Sequence, residues 1–312
     1  MEVFAILEPG AFTTVQDGGR YGYQQFGIPV SGALDMYSYL AANVLVGNSD
    51  NAAVLEITFT GPKMEVLSDA IVAVTGADIP ILVNDASHPT WTSFEVHRGD
   101  VLSVRAARKG VRAYLAVDGG ISVPVIMGSR STYTAGKIGG YSGRALAKGD
   151  RLHAELGSGG RRLVSFPEEL KPSLPNEIIL RALPGPQDDY FESGLDAFFN
   201  SEFTVSSKAD RMGYRLEGPS IELKESVPRS IISEPSLSGA VQIPADGHPI
   251  ILLVEQTAGG YAKIATVVTP DLNLVAQAKP GNRIRFKRVD VAEIHRLYAD
   301  YRSLLEHIKR MF

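Results

Sequence analysis

Apolar positions along most of this chain come in short bursts cut by Gly, Pro, Asp and Asn. AIVAVTGAD (70–78), IPILVND (79–85), DVLSVRA (100–106), VRAYLAVDGG (111–120) and PIILLVEQT (249–257) are β-branched runs bounded by turn residues, and each predicts a strand. Helical spacing is rare. It predicts one helix over 35–46 (DMYSYLAANVLV), with Ser31 or Asp35 placed to cap it and Gly47 to end it. A second is predicted at the C-terminal end, where Val291, Ile294, Leu297, Tyr298, Tyr301, Leu304, Leu305 and Ile308 follow the i, i+3, i+4, i+7 rule and make a face to pack on a sheet. The pattern is mainly β.

Two echoes divide the chain into halves. LEITFTGPKMEV (55–66) and RLEGPSIELK (215–224) share Leu-Glu, then Gly-Pro, then a Glu-containing segment that reads as a strand. RGDVL (98–102), KGDRL (148–152) and PGNRI (280–284) repeat a turn followed by an apolar strand. Between the halves, GSGGRRLVSFPEELKPSLPN (157–176) has the Gly, Ser, Pro and charge content of a linker. Two β-barrel-like domains, 1–165 and 166–312, the second ending in the C-terminal helix, account for the pattern. A length of 312 residues suits this division.

Composition removes several chemistries. The net charge of −4 gives no footprint for nucleic acid. There is no cysteine, which excludes disulfides, thiolate nucleophiles and Cys-ligated metal sites. MEVFAILEPG lacks the basic start and apolar run of a signal peptide, and no stretch reaches the ~18 apolar residues of a membrane span, so a cytoplasmic protein with no membrane partner is expected. The six histidines are dispersed, with no metal spacing. TAGKIGG (134–140) is not a phosphate-binding P-loop, GGRYG is not a Rossmann turn, and no G-x-S-x-G elbow occurs.

Four glycine-rich clusters remain. The first, TTVQDGGRYGYQQFGIPVSGALD (13–35), holds Asp17, Arg20, Ser31 and Asp35. The second, 118–144, holds Asp118, Ser129, Arg130, Ser131, Thr132, Tyr133 and Lys137. LPGPQDDYF and ADRMGYRLEGP bring Gln187, Asp210, Arg211 and Tyr214; EQTAGGYAKIAT (255–266) brings Gln256, Thr257, Gly259, Gly260, Tyr261 and Lys263. Bare backbone N–H groups beside Arg and hydroxyls suit carboxylate or phosphate, because arginine engages such oxygens bidentately. Turns between strands are the competing reading of each cluster. In the first, Arg20 either faces an anionic ligand from an exposed loop or pairs internally with Asp17 or Glu56.

TTVQDGGRYGYQQFGIPVSGALD, VLEITFTGP, DGGISVPVIMGSRSTY, LPGPQ, DRMGYRLEGP, EQTAGGY and AQAKPGNRIRF together resemble the successive blocks of the biotin-dependent carboxyltransferase-like family, also called allophanate hydrolase subunit 2. The resemblance runs from about residue 9 to 286. It implies two cyclophilin-like β-barrel domains. It also implies ATP-dependent hydrolysis of 5-oxoproline to glutamate, in a complex with a B-like subunit of the allophanate hydrolase subunit 1 family and a LamB/YcsF-type A subunit. ATP with Mg²⁺ is then the co-substrate. Arg20, Arg130, Arg211 and Lys263 are candidates for positive charge at phosphoryl transfer, and Asp17 or Asp118 for holding Mg²⁺ or accepting a proton. Ser31, Ser129, Tyr133, Gln187, Arg211, Tyr214, Gln256, Thr257, Gly259, Gly260, Tyr261 and Lys263 are candidates for substrate contact. No A-M-K-M biotin site is present. The family's fourth block usually has Asp-Arg and a hydroxyl where this chain has Val254-Glu255 and Ala258. That departure keeps open a carboxyltransferase subunit for urea or another amide, using biotin on a separate protein. A KipA-type regulatory partner is the non-catalytic alternative.

Overall fold

The computed structural model describes residues 1–155 and 162–312, so part of the expected linker, 157–161, lies outside the described residues. These fall into two compact units, one of Met1–Tyr21, Ser31–Leu174 and Leu305–Phe312, the other of Gly22–Val30 and Pro175–Leu304.

The first unit holds a seven-stranded and a five-stranded sheet. The larger runs, edge to edge, through Ile121–Ser122, Arg151–Ala154, Glu2–Glu8, Lys63–Val66, Val101–Val104, Ile81–Val83 and Ala86–His88. The smaller runs through Phe12–Gln16, Val54–Thr58, Lys109–Val117, Ala70–Asp78 and Ser93–Val96. All their pairings are antiparallel. Phe4, Ile6, Met64 and Leu102 of one sheet and Leu55, Ile57, Val72 and Leu115 of the other enter a single buried cluster. Burying each such side chain contributes about 1.5–3 kcal/mol, which is why alternating apolar positions fix the register.

Helix α1 (Met36–Leu45) also lies in this unit and is buried from Tyr37 to Leu45. Its sequence, MYSYLAANVL, is apolar or aromatic except at Ser38 and Asn43, as befits a core helix. Its cap is Asp35, whose Oδ1 accepts from Ser38 N–H at 3.0 Å while Oδ2 accepts from the Ser38 hydroxyl at 2.7 Å. Ser31, the alternative cap, is buried in left-handed backbone (φ 54°) and does not cap it.

The second unit is a closed seven-stranded barrel: Glu177–Pro184, Ala262–Val267, Ala240–Ile243, Ile250–Leu252, Gly213–Glu217, Glu202–Ala209 and Arg283–Arg288, the last pairing in parallel with the first. Two short helices, α2 (Ser193–Asn200) and α3 (Leu272–Gln277), are unforeseen from the sequence. α2 inserts Phe198 between Phe203 and Phe286, stacked on Phe286 at 4.3 Å between ring centres. The strand expected after Gly218-Pro219 does not form. Instead Glu234–Pro235 pairs with Ala258–Gly259 as a separate two-stranded ribbon.

Mainly β architecture and the C-terminal helix are as expected. α4 runs Val291–Met311. Only Ile308 of its predicted face is fully buried; Val291 and Tyr298 are exposed. Within the first unit, Lys309 reaches Asp50 at 2.6 Å and Phe312 stacks on Phe166. Among the described residues no helix is long and apolar enough to cross a membrane.

The repeated turn is one device used three times. Gly99, Gly149 and Gly281 sit at φ 93°, 90° and 90°, the third position of a tight turn. The following Asp100, Asp150 and Asn282 each accept, through the side chain, the backbone N–H three residues back, from His97, Ala147 and Lys279 at 2.7, 2.8 and 2.9 Å. Each glycine N–H donates to a strand carbonyl, of Val66, Ile6 and Val205.

Gly99→Ala forces a Cβ into left-handed backbone and should cost about 1–2 kcal/mol, seen as a lower urea midpoint at unchanged slope. Asp35→Ala removes the cap of α1 and should cost about 1 kcal/mol, whereas Ser31→Ala should not lower the midpoint.

Candidate functional site

The opening glycine loop folds around a buried ion. Asp17 is 1% exposed. Its Oδ1 accepts from the Ser129 hydroxyl (2.6 Å), the Ser131 hydroxyl (2.5 Å) and Gly19 N–H (2.9 Å); Oδ2 accepts from Arg130 N–H (2.5 Å). Each serine works in both directions: Ser131 Oγ accepts from Asp17 N–H, and Ser129 Oγ from Ser131 N–H. Three donors converge on Oδ1 and one on Oδ2, so both carboxylate oxygens are engaged in holding the loop. Among the described residues, no three His, Asp or Glu side chains stand together as a metal site.

Arg20 completes this cluster. It is fully buried, donating Nε–H to the Ile126 carbonyl (3.0 Å) and Nη2–H to that of Ser131 (2.8 Å). Burial pulls its guanidinium below the ordinary value, against the attraction of Asp17. The expectation of an exposed Arg20 gripping an anion does not hold. Its partners are backbone carbonyls, and Nη1 has none among the described residues. The alternative pairing with Glu56 does not form either: Glu56 faces Arg112, and accepts from Leu34 N–H and the Tyr114 hydroxyl at 2.9 Å each.

The other candidates of this unit lie apart from that buried ion. The Arg130 side chain reaches outward to Glu155 at 2.8 Å, although its backbone serves Asp17. Asp118 accepts from Ile71 N–H and so anchors the start of strand Ala70–Asp78. Tyr133 bridges to Ile138 through its backbone. A cleft of about 730 Å³ opens beside these loops, lined by Ile126, Lys137, Tyr141 and His153 among others.

In the second unit the third and fourth clusters converge. Lys263 is 4% exposed, yet its Nζ reaches Glu234 Oε1 at 2.6 Å. Gln187 closes the group, accepting from Lys263 N–H and donating Nε2–H to the same Glu234 oxygen, both at 3.0 Å. These two donors hold the Glu234 carboxyl below its ordinary range, Lys263 first and Gln187 second. Gln242 is the register partner of Lys263 on the neighbouring strand. Gly259 leaves room for it: a Cβ there would lie 2.2 Å from Gln242 Nε2.

Arg211 binds Glu255 at 2.6 Å in a buried pair, so the glutamate that departs from the family pattern answers an arginine of the preceding cluster. Tyr214 is buried in the barrel wall. Gln256 donates to the Ala258 carbonyl, while the Thr257 and Gly260 carbonyls accept from Ser236 and Ile231 N–H. These contacts shape the ribbon, and Tyr261 stands exposed at its end. Glu234, Ser236 and Gln242 escaped sequence reading. The available signal was a glutamine in an otherwise apolar strand, AVQIP.

Among known proteins, the chain is 39% identical over 307 residues to the C subunit of 5-oxoprolinase from Escherichia coli (strain K12), covering 97% of this chain and 96% of that protein. The protein of the same name from Haemophilus influenzae is 34% identical over 308 residues, with 98% and 97% covered. The crystal structure of the K. lactis urea amidolyase superposes with a TM-score of 0.93 at 34% identity, covering 98% of this chain but only 20% of that one. The model of the family described as carboxyltransferase domain, subdomain A and B, matches residues 26–288, and the chain belongs to that family.

Proposed function

We propose that this chain is the C subunit of a 5-oxoprolinase and acts with other subunits to open the lactam ring of 5-oxoproline to glutamate. The observation that carries the reading is the end-to-end match, at 39% identity, to a protein of that name. In this reading the partners are a B-like subunit of the allophanate hydrolase subunit 1 family and a LamB/YcsF-type A subunit, in the cytoplasm. ATP, brought with Mg²⁺, is the co-substrate. A lactam is a stabilised amide. Phosphorylation of its oxygen makes the carbonyl carbon electrophilic, and the protein's task is chiefly positioning and charge stabilisation. Lys263, held by Glu234 and Gln187, supports a role at the substrate. The Asp17–Arg20 cluster supports an architectural role for the first glycine loop.

A second reading has its own support in the K. lactis likeness and in Glu255, which departs from the family pattern and pairs with Arg211. Here the chain would be a carboxyltransferase subunit for urea or another small amide, with biotin carried on another protein.

Three measurements check these readings. The three subunits mixed with ATP should release glutamate from 5-oxoproline, and omitting this chain should abolish release. Equal release without it refutes the first reading, and carboxyl transfer that needs an added biotinylated carrier establishes the second. Lys263→Met should lower turnover by about tenfold to a hundredfold or more while the chain stays folded. Arg20→Ala should instead cost about 3–5 kcal/mol of stability, because it leaves Asp17 without its neighbouring charge and two carbonyls without donors.

A further inference from the structure

Among the described residues, two buried donors in the second unit have no acceptor. Gln242 is 4% exposed and Ser236 is 3% exposed, yet Gln242 Nε2 and Ser236 Oγ lack a partner among the described residues. Leaving such groups unpaired away from water is costly, so folded proteins retain them where something else binds.

Backbone pairing brings the two donors to one place. Ser236 continues the Glu234–Pro235 strand, its N–H bonded to the Thr257 carbonyl. Ser236 thus sits two residues beyond Glu234, opposite the Thr257–Gly259 segment whose Gly259 abuts Gln242. Gln242 lies opposite Lys263 in register, and its amide nitrogen abuts Gly259, which pairs with Glu234. Lys263 Nζ has three N–H groups, of which Glu234 takes one. The site is rich in donors. Its charges nevertheless cancel, because the ammonium already has its carboxylate.

We propose that Lys263, Gln242 and Ser236 form a subsite for the uncharged carbonyl oxygen of a small amide or lactam, with Glu234 as the resident counter-ion. A free carboxylate in the same place would face Glu234, and a hydrocarbon ring would leave the donors unpaired. The subsite deepens the 5-oxoprolinase reading and rests on it only for the identity of the lactam.

The test is a titration of the full ¹⁵N-labelled chain with 2-pyrrolidinone, a lactam without a carboxylate, and with pyrrolidine, which lacks the carbonyl. The Gln242 side-chain amide and Gly259 N–H signals should move with 2-pyrrolidinone and stay with pyrrolidine. Gln242→Leu should weaken 2-pyrrolidinone binding by about tenfold or more and melt no lower than the parent, because it removes an unpaired polar group. Ser236→Ala, which deletes one hydroxyl, should weaken binding by about threefold to tenfold at unchanged melting temperature. The subsite is overturned if neither signal responds, if pyrrolidine acts equally, if both variants bind like the parent, or if Gln242→Leu melts several degrees lower. The two readings separate. Lactam binding that both variants weaken, beside an inactive three-subunit mixture, upholds the subsite and refutes the 5-oxoprolinase reading. An active mixture whose kcat/KM for 5-oxoproline is unchanged by both variants does the reverse.

Discussion

A carboxylate and a guanidinium withdrawn from water survive only if nearly every polar atom they carry finds a partner, and the first unit is organised around meeting that demand. Asp17 gathers four donors from two loops more than a hundred residues apart in sequence, and Arg20 takes two carbonyls from the second of those loops. The glycines around them follow from this. A Cβ at Gly139 would stand 2.6 Å from the Arg20 guanidinium and closer still to the Ser131 carbonyl. The glycine-rich sequence is the wrapping of an ion.

In the second unit Lys263, Glu234 and Gln187 bond one another, while Gln242 Nε2 and Ser236 Oγ have no acceptor among the described residues. In the first unit Arg20 Nη1 is likewise without a partner among the described residues, so both units bury polar groups in networks that are nearly but not wholly satisfied.

Much of the fold is legible in the sequence because strands buried on both faces are written as continuous apolar runs. Residues 70–78 and 111–117 read directly as strands, and the mostly apolar α1 is as plain. α2 and α3 are hidden because eight and six residues are too few for a period of 3.6 to declare itself. Sequence singles out Lys263, Gln187 and Arg211, and separately Asp17, as candidates. It cannot give their pairing, which depends on strand register and on a ribbon whose Glu234 half sits in an unpatterned Ser- and Pro-rich stretch. Arg20 is misread for a specific reason. Glycine-rich segments suggest exposure, and the residues that bury Arg20, Ile126 and Ser131, are distant in sequence. The choice between Ser31 and Asp35 as helix cap likewise needed the backbone, since both have suitable side chains.

α4 has a bearing on how the molecule is made. Its residues 305–312 belong to the first unit, where Ile308 is buried and Phe312 stacks on Phe166. Synthesis runs from the N-terminus, and a domain delivered whole can fold while the rest is still being translated. This first unit is not delivered whole. Its sheets emerge early, but the last piece of its surface arrives only after the entire second barrel has left the ribosome. Until then the Phe166 face stays without its stacking partner, and the early unit waits on the late one for completion.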